Sequence, residues 1–157
     1  MTEEVRKKLE YVNKTLTKAE VYQHAATVLQ YDQETICPPK GMEEQGEVSA
    51  FMMNKAFALE KGKAYTEAIA FLHEHIKELD EFDRAMIDTE YRSYVRNKNI
   101  TPAMQHRFSL VYNKAFVDWV NAKQQADFSI FVDFFFFFLA IGLKKISLRG
   151  IGTMLLY

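Results

Sequence analysis

The chain has 157 residues, 20 of them basic and 21 acidic, for a formal net charge of −1, and 48% of it is apolar. That length suits one domain with a core of its own, and the composition reads as globular rather than disordered. The near-neutral balance excludes a general nucleic-acid binder, which would carry a basic excess, and the single cysteine, Cys37, excludes an internal disulfide and a cysteine-based zinc cluster.

Met1 to Glu10 is charged and lacks the apolar stretch of a secretory signal. With the lone thiol, this places the expected protein in the cytoplasm. Only six glycines and three prolines occur. Between Gly62 and Gly142 there is no glycine, and Pro102 is the only proline. Breaker-free stretches with apolar residues every three or four positions predict amphipathic helices.

The first helix is expected to begin near Thr2, with Val5, Leu9, Val12, Leu16 and Ala19 on one stripe that then rotates to Tyr22, Ala25 and Leu29. Thr17 and Glu20 have capping-box spacing, so a break there and a continuous helix with a shifting face are equal alternatives. Pro38 and Pro39 end whatever precedes them. A second helix follows Gly41 with Val48, Phe51, Met52 and Leu59 inward, and Gly62 closes it. A third carries Tyr65, Ala68, Ile69, Leu72, Ile76 and Leu79. Asp80 offers an N-cap for a fourth, running through Phe82, Met86, Tyr91 and Tyr94 to about Lys98. Thr101 caps a fifth, with Pro102 at the first helical position and Met104, Phe108, Val111, Ala115 and Trp119 as its buried stripe. No alternating strand pattern precedes Asp127 and no internal repeat is visible. The expected fold is all-α: about five amphipathic helices in an antiparallel, bundle-like array.

The end of the sequence is different. No acidic residue follows Asp133, Phe134 to Phe138 are all phenylalanine, and Gly142, Gly150 and Gly152 fall close together. The composition therefore divides the chain into a helical region, 1–129, and an atypical Phe-rich tail, 130–157. A spanning helix needs about 20 apolar residues. Residues 128–143 are fewer, include Ser129 and Asp133, and are followed by Lys144 and Lys145. A membrane role is therefore not the expectation.

No complete catalytic motif is present. In His73-Glu74-His75 the residue four after His73 is Lys77, so the paired histidines of H-E-x-x-H are missing. At 3.6 residues per turn His73 and His75 point about 200° apart, which reads as helix surface. Glu20 and His24 have i, i+4 spacing, but one carboxylate and one imidazole read as a surface pair. His106 has no partner nearby in sequence. Asp32 and Glu34 could suggest paired carboxylates for acid–base work, yet in isolation they read as turn and cap groups. Phe108, Tyr112, Phe116 and Trp119 recur at helical spacing, a core pattern more often than a stacking platform. Neither a glycine-rich phosphate loop nor G-x-S-x-G occurs.

Taken as one unit, Val28-Leu-Gln-Tyr-Asp-Gln-Glu-Thr-Ile-Cys-Pro-Pro-Lys-Gly41 resembles the N-terminal signature of the carboxypeptidase Taq family of metallocarboxypeptidases: an aromatic residue, then Asp-Gln-Glu-Thr, a short apolar step, proline and glycine. Here these are Tyr31, Asp32, Gln33, Glu34, Thr35, Pro38, Pro39 and Gly41. Many members continue with an arginine and a glutamine, where this chain has Gln45 and Val48 nearby, a departure. The likeness continues in order through Leu79-Asp-Glu-Phe-Asp-Arg-Ala-Met86, Ile100-Thr-Pro, Phe116-Val-Asp-Trp-Val-Asn-Ala-Lys123 and Ala126-Asp-Phe128, covering about Thr2 to Ser129.

The resemblance implies a longer, mainly α-helical peptidase that removes residues from peptide C-termini with one divalent metal, usually zinc. In that family two histidines of an H-E-x-x-H helix and a downstream glutamate bind the metal, and the motif's own glutamate is the general base. No residue of this chain matches any of these, so no catalytic residue or metal ligand is assigned. The signature residues are implied to lie in a wall of the substrate groove.

The expectation is then an N-terminal fragment of such an enzyme, inactive alone, with zinc and peptide substrates belonging to the full-length protein. The phenylalanine run implies a thymine-rich coding tract, and the hypothesis is a frame disruption or a truncated reading frame there, giving unrelated residues to Tyr157. An H-E-x-x-H segment should then appear in one frame of the downstream DNA, and its absence from every frame would remove the idea. Helix faces built for missing partners would favour self-association. The alternatives are a stand-alone helical interaction module and a small membrane-attached protein using residues 128–143.

Overall fold

A computed structural model describes residues 1–132 together with Phe134, Phe136 and Leu139. The chain divides into two compact units, Met1–Leu110 and Val111–Tyr157. Five α-helices follow in order: α1 (Glu3–Thr35), α2 (Met42–Glu60), α3 (Lys63–Glu74), α4 (Glu81–Asn97) and α5 (Pro102–Gln125). Short 3-10 turns occupy Pro39–Gly41, Ile76–Glu78 and Phe128–Phe131, and no strand occurs among the described residues. The all-α expectation holds.

α1 is one continuous helix of 33 residues, so no break occurs at Thr17–Glu20. It is about 50 Å long at 1.5 Å per residue. Thr2 caps it, its Oγ1 accepting from the Val5 N–H, and Glu3 and Glu4 sit in the first turn where the helix dipole favours negative charge. Val5, Val12, Ala19, Ala26 and Gln33 are buried at intervals of seven, with Leu9 beside them. A seven-residue step falls only about 20° short of two full turns. The buried face therefore drifts slowly and does not rotate to Tyr22, Ala25 and Leu29, which are half-buried.

The first half of α1 enters the main core. Val5, Leu9 and Val12 pack with Tyr65, Ala68, Ile69 and Leu72 of α3, and with Leu79 and Ile87. The second half of α1 runs antiparallel to α2. There the sequence expectation needs correction: Val48 and Phe51 are exposed, Met52 and Leu59 half-buried, and the buried residues are Met42, Gly46, Ser49, Ala50 and Ala56. Small side chains on the facing stripes, Ala19 and Ala26 on α1 and Gly46, Ser49, Ala50 and Ala56 on α2, let two helix axes approach closely. Val48, Phe51 and Met53 of α2 are left outside.

α3 ends at Glu74, earlier than the apolar pattern predicted: the His75 N–H makes the last helical bond, to the Phe71 carbonyl, and the Glu78 N–H then bonds the His75 carbonyl as the chain tightens into a 3-10 turn. Ile76 still packs against the core from that turn, and Leu79 is buried in extended backbone. Asp80 caps α4 as expected, its carboxylate accepting from the Asp83 N–H at 2.8 Å. Burial and the neighbouring Asp80 push the Asp83 carboxyl above its usual range. The anchor of α4 is Ile87, fully buried, whereas Phe82 is 79% exposed.

Thr101 caps α5 through its hydroxyl and the Met104 N–H at 3.2 Å. Met104 and Trp119 are exposed, against expectation, Phe108 and Val111 are half-buried, and the buried residues are Ala115 and Ala122. The apolar period marked the right face but not how much of it is covered. At the end of α5 the Asp127 N–H bonds the Ala122 carbonyl at 3.0 Å across Ala126, whose φ of 52° is left-handed. This is the glycine position of a Schellman motif, and the left-handed well costs a non-glycine residue about 1 kcal/mol. Ala126→Gly is therefore expected to stabilise the protein by about 0.5–1 kcal/mol in chemical denaturation; a neutral or lower value would deny the strain.

The Asp127 carboxylate accepts from the Ser129 N–H at 2.9 Å, and these bonds to Ser129 hold it below its usual range. Most of the Phe-rich tail assigned to 130–157, and half of the stretch 128–143, lie outside the described residues. Among the described residues no helix is long and apolar enough to cross a membrane.

Candidate functional site: the corner between α1 and α2

The signature run Tyr31 to Gly41 forms the corner of the α1–α2 hairpin. The prolines set its shape. Pro38 is extended (φ −61°, ψ 144°) and Pro39 starts the 3-10 turn, so the helix cannot continue. The Asp32 carbonyl accepts from both the Ile36 and Cys37 N–H groups at 3.0 Å, closing the last turn of α1. The Gly41 N–H bonds the Pro38 carbonyl at 2.8 Å, and α2 begins at the next residue. Gly41 has φ −90°, an ordinary helical value, and an added Cβ would meet only the Cys37 Sγ at 3.4 Å. The glycine is not demanded by backbone conformation here.

The signature side chains split into two groups. Gln33 is buried, and its amide donates to the Met42 carbonyl at 2.8 Å. That bond ties the end of α1 to the start of α2. The Asp32 carboxylate accepts from the Gln45 amide, which also reaches the Leu29 carbonyl at 3.3 Å. Further along, the Ser49 hydroxyl donates to the Ala26 carbonyl at 3.4 Å. Asp32 and Gln33 thus clamp the hairpin. The second group faces solvent: Tyr31 is 69% exposed, and Glu34 and Thr35 are exposed beside it. Glu34 accepts from Gln30 at 3.0 Å along its own helix, and the Thr35 hydroxyl donates to the Tyr31 carbonyl at 2.7 Å. Asp32 and Glu34 go to different partners and do not form an acid–base pair.

The other candidates are also separated. His73 stacks on Tyr91 with ring centres 3.8 Å apart, and its Nε2 lies 3.8 Å from Asp88. His75 stacks on Phe71 at 4.1 Å, with its Nδ1 2.9 Å from the Phe71 carbonyl. The two rings serve different neighbours. Glu20 and His24 are exposed on α1. His106 has a solvent-shielded Nδ1 without a hydrogen-bond partner. No group of three or more His, Cys, Asp or Glu residues among the described ones could hold a metal ion. The donor set of the described residues does not fit a peptidase zinc.

Sequence reasoning missed a second polar assembly. Tyr65, 3% exposed, donates its hydroxyl to Glu90 at 2.9 Å, joining α3 to α4. Nearby, Gln23 of α1 donates to Glu60 of α2 at 3.0 Å. Burial, and then the Glu90 charge, push the Glu60 carboxyl above its ordinary range despite the Gln23 bond. Burial and the same two carboxylates raise the Tyr65 phenol strongly. The next residue after Glu60, Lys61, gives its ammonium to the Asn97 carbonyl, and burial lowers its pKa. The only sequence signal for this assembly was a tyrosine on an otherwise apolar stripe.

The site thus sits at the proline–proline corner of a helical hairpin that is followed by a second helical pair. The model of the carboxypeptidase Taq (M32) metallopeptidase family matches residues 11–152, and the chain belongs to that family. The matched span runs across Ser129 into the Phe-rich tail. The chain is similar to Carboxypeptidase 1 of Bacillus subtilis (strain 168), 26% identical over 110 residues, which are 70% of this chain and 22% of that protein. It also resembles the solved structure titled "BsuCP Crystal Structure", with a TM-score of 0.76 and 23% identity, covering 82% of this chain and 26% of that one. The chain thus spans about a quarter of the length of the relatives it matches.

Proposed function

We propose that this chain is the helical N-terminal portion of a longer metal-dependent carboxypeptidase, contributing a wall of the peptide groove and no catalytic group of its own. One observation carries this reading. The signature corner is folded and clamped, while the matched region amounts to only 22% of the Bacillus relative and the described residues offer no metal-binding group. Asp32 and Gln33 hold the corner rigid. Tyr31, Glu34 and Thr35 are presented outward from it, as groove-wall residues would be. Divalent metal, zinc in the family, and the water-activating base are supplied by the remainder of the enzyme, whose peptide substrates and cytoplasmic location the chain shares.

α1 carries a second apolar face. Val21, Val28 and Tyr31 are each more than half exposed and lie opposite the buried stripe of Ala19, Ala26 and Gln33. A helix apolar on two faces is built to be covered on both. The isolated chain is expected to self-associate through such surfaces. Light scattering across a concentration series should give a mass above 18.3 kDa that rises with concentration. A monomer at every concentration would contradict the reading.

A further inference from the structure

In unit Met1–Leu110 a polar junction draws side chains from four helices: Gln23 of α1, Glu60 of α2, Tyr65 of α3 and Glu90 of α4. Glu60, Tyr65 and Glu90 line a water-sized cavity of about 20 Å³, together with Lys61, Ser93 and Tyr94. Two carboxylates face one small, partly desolvated space. Like charges in such a space disfavour double ionisation, so one proton is held more readily than in open water. The Lys61 ammonium donates to the Asn97 carbonyl and so ties the end of α2 to the end of α4 beside this space. Glu60 has one amide donor, from Gln23, and Glu90 has one phenol donor, from Tyr65. Tyr65 stays protonated and keeps donating, since burial and both carboxylates raise it.

We propose that this junction is a proton-operated clasp between the α1–α2 hairpin and the α3–α4 pair, tightest when Glu60 is protonated and looser when Glu60 and Glu90 are both charged. The groups facing Glu60 are Gln23 from α1, Lys61 beside it, Tyr65 from α3, and Glu90 and Tyr94 from α4. Among these, Glu90 is the group whose charge opposes that of Glu60. The folded chain holds the proton more tightly than the unfolded chain does. Its stabilisation is therefore complete below the ordinary glutamate value of 4.5 and is lost as pH rises through the raised folded value.

The test compares the full chain with Glu60→Gln and Glu90→Gln by chemical denaturation at one fixed protein concentration, from about pH 4.5 to about pH 8. Relative to E60Q, the unfolded-to-folded ratio of the native sequence should rise by about threefold over that range. E90Q should show a smaller rise, because burial remains after the facing charge is gone. Parallel curves for the native sequence and E60Q would overturn the clasp. A carboxyl-carbon NMR titration of the native chain decides the matter even if a variant fails to fold. Glu60 titrating above the other glutamates is the expected result, and Glu60 titrating with them overturns it.

Discussion

Ile87→Ala is expected to lower the unfolding free energy by about 2–5 kcal/mol, the range for removing a fully buried aliphatic side chain from a core. Ile87 has no exposed surface and belongs to the cluster formed by Val5, Val12, Ile69 and Leu72. It is the one fully buried residue of α4, so the cavity cannot be refilled from its own helix. Since small domains hold only about 5–15 kcal/mol in total, the variant should unfold at much lower denaturant. Phe82→Ala is the control: Phe82 is 79% exposed, and surface changes stay within about 0.5 kcal/mol. Equal effects at the two positions would mean that α4 packs through the wrong face.

Ala26→Leu is expected to destabilise the hairpin by about 1–3 kcal/mol through overpacking. Ala26 is 2% exposed, and its carbonyl accepts from Ser49 of α2. Leucine is nearly as good a helix former as alanine, so the loss would report the distance between the helices and not the stability of α1 itself. Extra methylenes there would push α2 away and stretch the Gln33–Met42 and Gln45–Asp32 bonds that set the corner. Thermal melts of Ala26→Leu beside Ala25→Leu, at the half-buried neighbour, read the difference. An Ala26→Leu variant as stable as the parent would show that the two helices are not closely packed.

The sequence made the helices legible because their ends are chemically marked. Thr2, Asp80 and Thr101 cap through their side chains, and Pro38 and Pro39 stop α1. It was misleading about faces. Reading large apolar residues as inward worked for Tyr65, Ile69 and Leu72, where helix meets helix around a wide core. It failed for Val48 and Phe51 of α2, because a close-packed pair is filled by alanine, serine and glycine. The seven-residue spacing of Val5, Val12, Ala19, Ala26 and Gln33 was visible all along, and it would have placed both the inner face of α1 and the buried glutamine.

The candidate site was legible only as a lineage. Tyr31 to Gly41 could be matched to a family, but nothing in its letters separated Asp32 and Gln33, which bind the hairpin, from Tyr31, Glu34 and Thr35, which face outward. That division depends on where Met42 and Gln45 return beside α1, a tertiary fact. The Glu60–Tyr65–Glu90 junction was invisible for the same reason, since Gln23 and Glu90 come from distant parts of the sequence and meet Glu60 and Tyr65 only when four helices converge.

On the proposed reading this chain has the family's helical front without its chemistry. Purified chain, supplied with zinc and then desalted, should retain no stoichiometric metal. With a defined peptide it should release no C-terminal amino acid above a protein-free control. One zinc retained per chain, or steady release of C-terminal residues, would contradict the account.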